Sequence, residues 1–286
     1  MTTDREMLKK LLKLYPIKQT KEHFNVTGHI DDALEIVSTR PSAALKDFFI
    51  SNYCYTKQNI YLFTLKKVFR RANMDVANFP FSIEKEVNIL GETVLLCLPK
   101  VTYSVYLSTP TDKVDLEFLQ PVIIRIKGDN LVIHYTKLKK DITTYFEPIR
   151  EPKKAKEING EADSLEEIKD FFDKNYGLGI NDINKGVKFL WDQDFIDCFK
   201  IHRHNPHSVA VETMNGDMTF KVKYPAEYVK IITTPIGSSI WKYLKKDNYF
   251  CDGLIIDPSE GYVSISSSPK LPNQINNVID TILAHN

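Results

Sequence analysis

Apolar residues at the front of the chain recur at helical spacing. Met7, Leu8, Leu11, Leu12, Leu14 and Tyr15 follow an i, i+3, i+4, i+7 pattern, with Lys9, Lys10 and Lys13 on the other face. The pattern predicts an amphipathic helix that Pro16 ends. A second helix is expected over 33–37, capped by Asp31 or Asp32 and broken by the stretch 38–41. Pro41 and Ser42 open a third over 43–50, because proline in a first helical turn gives up no hydrogen bond. In 60–71, Leu62, Phe63, Leu65, Val68 and Phe69 oppose Lys66, Lys67, Arg70 and Arg71. This too reads as an amphipathic helix.

The pattern changes near Asn78. Short runs rich in β-branched and aromatic residues occupy 93–98, 102–107, 122–126 and 131–135, separated by proline and glycine turns. Gly128-Asp129-Asn130 between the last two predicts a hairpin with one wet face. Few apolar residues occur in 147–164, which holds two prolines and a lysine run and reads as a linker. Ser164 with Glu167 reads as a capping box for a helix that buries Leu165, Ile168, Phe171 and Phe172. Further helices are expected from about 181 to 191, over 236–244, and in the tail, where Ile275, Val278, Ile279 and Ile282 share a face. Strands are expected at 209–211 and 218–222, and at 254–256 and 262–265 around the turn 257–261.

These elements give an α+β fold: a helical N-terminal module, a central antiparallel β-sheet and a C-terminal α+β domain. The expected segments are 1–77, 78–147, a linker over 148–164, and 165–286. Composition agrees with a folded chain. Of 286 residues, 43% are hydrophobic and 26% charged, which excludes a disordered tail, a collagen-like fibre or a disulfide mini-scaffold. Cys54, Cys97, Cys198 and Cys251 are widely spaced, a pattern of reduced, buried thiols. The charged start lacks an apolar leader, and no run is long enough to span a bilayer. A cytoplasmic or nuclear protein without membrane contact is therefore expected.

Charge is uneven. Residues 1–75 carry 13 Lys/Arg against 8 Asp/Glu, residues 76–150 balance at 9 and 9, and residues 151–286 carry 16 against 20. A basic front suggests an anionic partner. On a helix, Lys66, Lys67, Arg70 and Arg71 would share a face and could meet phosphates, with Tyr53, Tyr55 and Tyr61 upstream to stack on bases. They are the candidate nucleic-acid-binding residues.

A second candidate is the cluster His202, His204 and His207. In an extended segment His202 and His204 point to one side, where two imidazoles could hold a metal that His207 or Glu212 completes. No phosphate loop, dinucleotide fingerprint, nucleophile elbow or zinc-protease motif occurs, and no cofactor is expected. The sequence thus favours a non-catalytic binding or regulatory protein, with nucleic acid met through the basic module. The rival readings are a protein–protein adaptor and a metal-dependent hydrolase built on the histidines.

Overall fold

A computed structural model describes residues 4–106, 113–138, 154–205, 208–213, 218–245 and 247–286; residues 4–6, 154–155, 201–205 and 208–213 are described by backbone alone. The elements begin with α1 (Asp4–Leu12), α2 (Ile17–Phe24), α3 (Ile30–Ser38), α4 (Ser42–Asn52), β1 (Gln58–Leu65), β2 (Ile83–Ile89) and β3 (Glu92–Cys97). Next come β4 (Lys100–Tyr106), β5 (Lys113–Leu119), β6 (Val122–Lys127), β7 (Asn130–Thr136), β8 (Lys154–Asn159), α5 (Glu161–Tyr176) and β9 (Leu178–Ile180). The chain continues through α6 (Asn184–Asp192), β10 (Ile196–Asn205), β11 (Ser208–Thr213), α7 (Phe220–Lys223) and α8 (Pro225–Ile232). It closes with β12 (Ser239–Tyr243), β13 (Leu254–Asp257), β14 (Tyr262–Ile265) and α9 (Gln274–Ala284). The fold is α+β, with helices at the N-terminus and antiparallel sheets behind them. Two compact units divide the chain: Met1–Thr56 with Leu65–Leu178, and Lys57–Thr64 with Gly179–Asn286.

In the first unit β2, β3, β6 and β7 form an antiparallel sheet in that order, and β5, β4 and β8 form a smaller one. Register places Val94, Leu96, Ile123, Arg125, Val132 and His134 on one face of the larger sheet. There Val94, Leu96 and Ile123 join Leu11, Leu12, Leu45, Phe48 and Phe49 of the N-terminal helices in one core. The opposite face carries Tyr135, whose hydroxyl lies 3.2 Å from that of Ser164 on α5. The β6–β7 hairpin is therefore buried on both faces, where the sequence suggested one wet face. Two covered faces explain why β6 reads as a near-continuous apolar run. Its buried charge, Arg125, meets the Glu92 carboxylate at 2.6 Å.

Pro16 not only ends the first helix but sits at the N-cap of a second, α2, whose amphipathic pattern is too short to stand out in the sequence. Helix α5 opens at Glu161 rather than at Ser164. Its first turn is closed by the Gly160 N–H donating to the Asp163 carboxylate at 3.0 Å.

The second unit is built on an antiparallel sheet ordered β11, β10, β12, β13, β14, β1. The hairpin β13–β14 and the helix α9 lie where the sequence places them. Three segments differ. The helix expected over 60–71 is strand β1 as far as Leu65; the helix expected over 236–244 contains strand β12; the strand expected over 218–222 is overlapped by the short helix α7. Each is a short apolar run that fits either period. Strand pairing decides the first two: Gln58 to Tyr61 align with Ile265 to Tyr262, and Ser239 to Trp241 align with Ile256 to Leu254. At α7 the Asp197 carboxylate accepts the Phe220 N–H at 3.0 Å, which anchors a helical start.

Candidate functional site

The four cations singled out by the sequence do not share a helix face, because the chain after Leu65 leaves its strand and turns. The N–H groups of Lys66 and Lys67 donate to the carbonyls of Gly177 and Tyr176, at 2.9 and 3.0 Å. The Lys67 ammonium donates to the Asn175 carbonyl at 3.4 Å. Both lysines thus sit at the C-terminal end of α5, where the helix dipole is negative and a cation is stabilising. Arg71 is held on β2 by Glu86, with its Nε 2.9 Å and its Nη2 2.8 Å from the carboxylate. Arg70 is exposed, and no acid partners it among the described residues. Of the tyrosines, Tyr53 is buried edge-on to His134 and Tyr61 packs on Tyr262, so neither ring is open on both faces.

His202 and His204 occupy alternate positions of β10, opposite Val211 and Val209, and their side chains fall outside the described ones. His207 lies outside the described residues altogether. Among the described side chains no group of three His, Cys, Asp or Glu converges as metal ligands would. All four cysteines are buried and free of disulfides. Burial pushes the thiol of Cys54 up to about 11 and those of Cys97 and Cys251 up to about 12, so none is a ready thiolate.

The first unit also carries an open pocket of about 320 Å³, bordered by Asp75, Asn78, Pro80, Glu167, Asp170 and Phe171. Asp75 there is engaged by Asn78, whose amide group donates to it at 2.7 Å. The rim has no imidazole, thiol or hydroxyl able to act as a nucleophile or proton shuttle.

Among the described residues, Leu90 at the tip of the β2–β3 hairpin is the one positive-φ residue that is neither glycine, asparagine nor aspartate. Ile89 pairs with Glu92, which leaves the two-residue loop Leu90-Gly91 with φ +49° and +79°. Positive φ at both positions is the primed turn that hairpins favour, and its first position ordinarily holds asparagine, aspartate or glycine. Leucine is sterically disfavoured there, because its Cβ crowds the carbonyl oxygen. Leu90 is 94% exposed and the neighbouring Ile89 is 53% exposed, so burial does not offset that strain. The flanking charges are already matched: Glu92 by Arg125, Glu86 by Arg71 and Glu84 by Lys46. The tip therefore presents two aliphatic side chains above neutralised flanks. Sequence reasoning missed it because its one turn signal is a lone glycine, Gly91, after a leucine.

No protein family, curated protein or solved structure matches this chain. Among the described residues, no helix is long and apolar enough to cross a membrane. The site must therefore be read from its own chemistry.

Proposed function

We propose that this chain is a binding protein of the adaptor kind, which engages a protein partner through the β2–β3 hairpin tip. One observation carries the reading: a leucine, strained and almost fully exposed, at a turn position that asparagine would fill with less strain. A nucleic-acid partner is supported less well. That reading needs Lys66, Lys67, Arg70 and Arg71 on one open face, whereas two of them close the end of α5 and one is matched by Glu86. An apolar tip suits a pocket on another protein, where an aliphatic side chain can serve as a buried anchor.

Leu90→Asn tests this directly. The substitution makes an Asn-Gly primed turn, so it is expected to stabilise the first unit by roughly 1 kcal/mol in chemical denaturation. The same variant is expected to lose a partner that the unaltered chain retains in quantitative affinity capture. Ile180→Asn, an exposed aliphatic in the second unit, is expected to keep that partner. If Leu90→Asn retains the same proteins in the same amounts, the hairpin is not a docking element.

A further inference from the structure

An outer strand leaves one row of N–H and C=O groups without a ladder partner, so sheet edges are where a β-fold can join another chain. The first unit protects its edges. Strand β2 breaks register between Ile83 and Lys85 and carries Glu84, Lys85 and Glu86 in succession. Strand β5 places Lys113, Asp115 and Glu117 at alternate positions, and β8 holds Lys154 and Lys156. Charges and irregularities of this kind keep an edge from pairing. The second unit ends its sheet on β11, which pairs with β10 on one side and with no other strand among the described residues. Its sequence, Ser-Val-Ala-Val-Glu-Thr, has no lysine, arginine or proline, and its register with β10 runs unbroken from Ser208 to Thr213.

Backbone register fixes what that edge offers. Asn205 pairs with Ser208 across a two-residue connection, and hydrogen-bonded pairs alternate along the ladder from there. Ser208, Ala210 and Glu212 thus bond to β10, while Val209, Val211 and Thr213 direct their N–H and C=O groups away from it. All three outward positions are β-branched, the residue type that strands favour. An antiparallel copy of β11 centred on Val211 matches all three: Val211 meets Val211, and Val209 meets Thr213. Centring on Ala210 or Glu212 instead leaves one outward position of the strand unmatched. The Val211 register also puts Glu212 opposite Ala210 of the other copy, and Ala210 itself pairs with Arg203. An acid and a base therefore share one row across the junction, twice by symmetry, with a small residue between them.

We propose that the chain self-associates through β11, two copies pairing antiparallel about Val211 with Glu212 of each in register with Arg203 of the other. About six backbone hydrogen bonds would form, two from each of the three outward pairs. Pairing β11 with itself uses up both edges, so the assembly closes as a two-fold dimer rather than growing into a fibre. The formal net charge is only +1 at pH 7, so little self-repulsion opposes the approach of a second copy. A second copy suits this edge better than an unrelated strand, because the register that matches every outward group also juxtaposes opposite charges. The surface belongs to the second unit and does not rest on the hairpin tip of the first.

The test is sedimentation equilibrium of the full chain over a concentration series, with amide hydrogen exchange at the two ends of the series. The unaltered chain should show a monomer–dimer equilibrium, and the amides of Val209, Val211 and Thr213 should exchange more slowly at the high end. Val211→Pro removes an outward N–H without touching the bonds to β10, so it should weaken the dimer by about tenfold or more while keeping the far-UV spectrum. Glu212→Arg puts like charges in the shared row and should weaken the dimer by about tenfold, and the exchange E212R/R203E should restore it. That restoration keeps the proposal testable even if Val211→Pro disturbs β11 itself. Leu90→Asn should dimerise normally. A chain that stays monomeric to roughly 100 μM would overturn the proposal. So would a dimer that Val211→Pro and Glu212→Arg leave unchanged, or an exchange variant that dimerises no better than E212R. Amides of β11 that slow only when a different protein is added would assign the edge to that partner and overturn it as well.

Discussion

Replacing Gly261 by alanine is expected to destabilise the second unit by about 2–5 kcal/mol, the sum of a left-handed backbone penalty and an overpacking penalty. Gly261 closes the β13–β14 turn at φ +60°. A Cβ on it would lie 2.5 Å from the Leu62 carbonyl oxygen and 2.8 Å from that of Asn181. Neither oxygen can retreat freely, since the Asn181 N–H donates to Leu62 and the Leu62 N–H donates to the Gly261 carbonyl at 2.8 Å. The substitution therefore strikes the place where β1, contributed from early in the chain, is stitched to the rest of its unit. Gly128 is the control. It has a similar φ of +63°, but a methyl group added to it would meet nothing within 4 Å, so Gly128→Ala should cost only about 1–2 kcal/mol. Denaturant midpoints of the two variants should separate clearly. Equal losses would mean that the close approach to Leu62 and Asn181 contributes nothing.

The same stitch explains why part of the fold was legible in the sequence and part was not. Elements whose signals are local came through: the Gly128-Asp129-Asn130 hairpin, the turn 257–261 with its flanking strands, and the tail stripe of Ile275, Val278, Ile279 and Ile282. Segment 60–71 carries two patterns at once. Ile60, Leu62 and Leu65 are buried in a strand, and the cations that made a tidy helix face belong to the turn after it. What selects the strand is β14, some two hundred residues away, a partner invisible to any local window. Segment 236–244 fails the same way, since Trp241 and Tyr243 are buried at alternate positions and Ile240 and Lys242 are less so. The candidate tip was hidden for a related reason: Leu90 breaks the turn rule that would have announced its hairpin.

A buried histidine should give the first unit an acid limb in its stability. His134 is fully enclosed, with the edge of Tyr53 at 5.3 Å between ring centroids and Arg125 on the same sheet face. Burial first, and the Arg125 charge second, hold its imidazole well below the ordinary histidine range. The unfolded chain takes up a proton on this residue near pH 6.5, while the folded chain does not. The stabilising contribution is therefore complete above about pH 6.5 and is lost as pH falls below it, with a limiting slope of about 1.4 kcal/mol per pH unit. Other groups also titrate in acid, so the decisive quantity is a difference between variants. His134→Phe keeps an aromatic ring against Tyr53 and removes the titrating nitrogen. Below about pH 6.5 the unaltered chain should lose stability more steeply than this variant, by at most about 1.4 kcal/mol per pH unit. Should His134→Phe prove too disruptive, His134→Gln offers a smaller non-titrating side chain with the same expected change of slope. Parallel stability–pH curves for the parent and both variants would show that His134 takes up its proton in the folded state, and would remove it as the source of acid sensitivity.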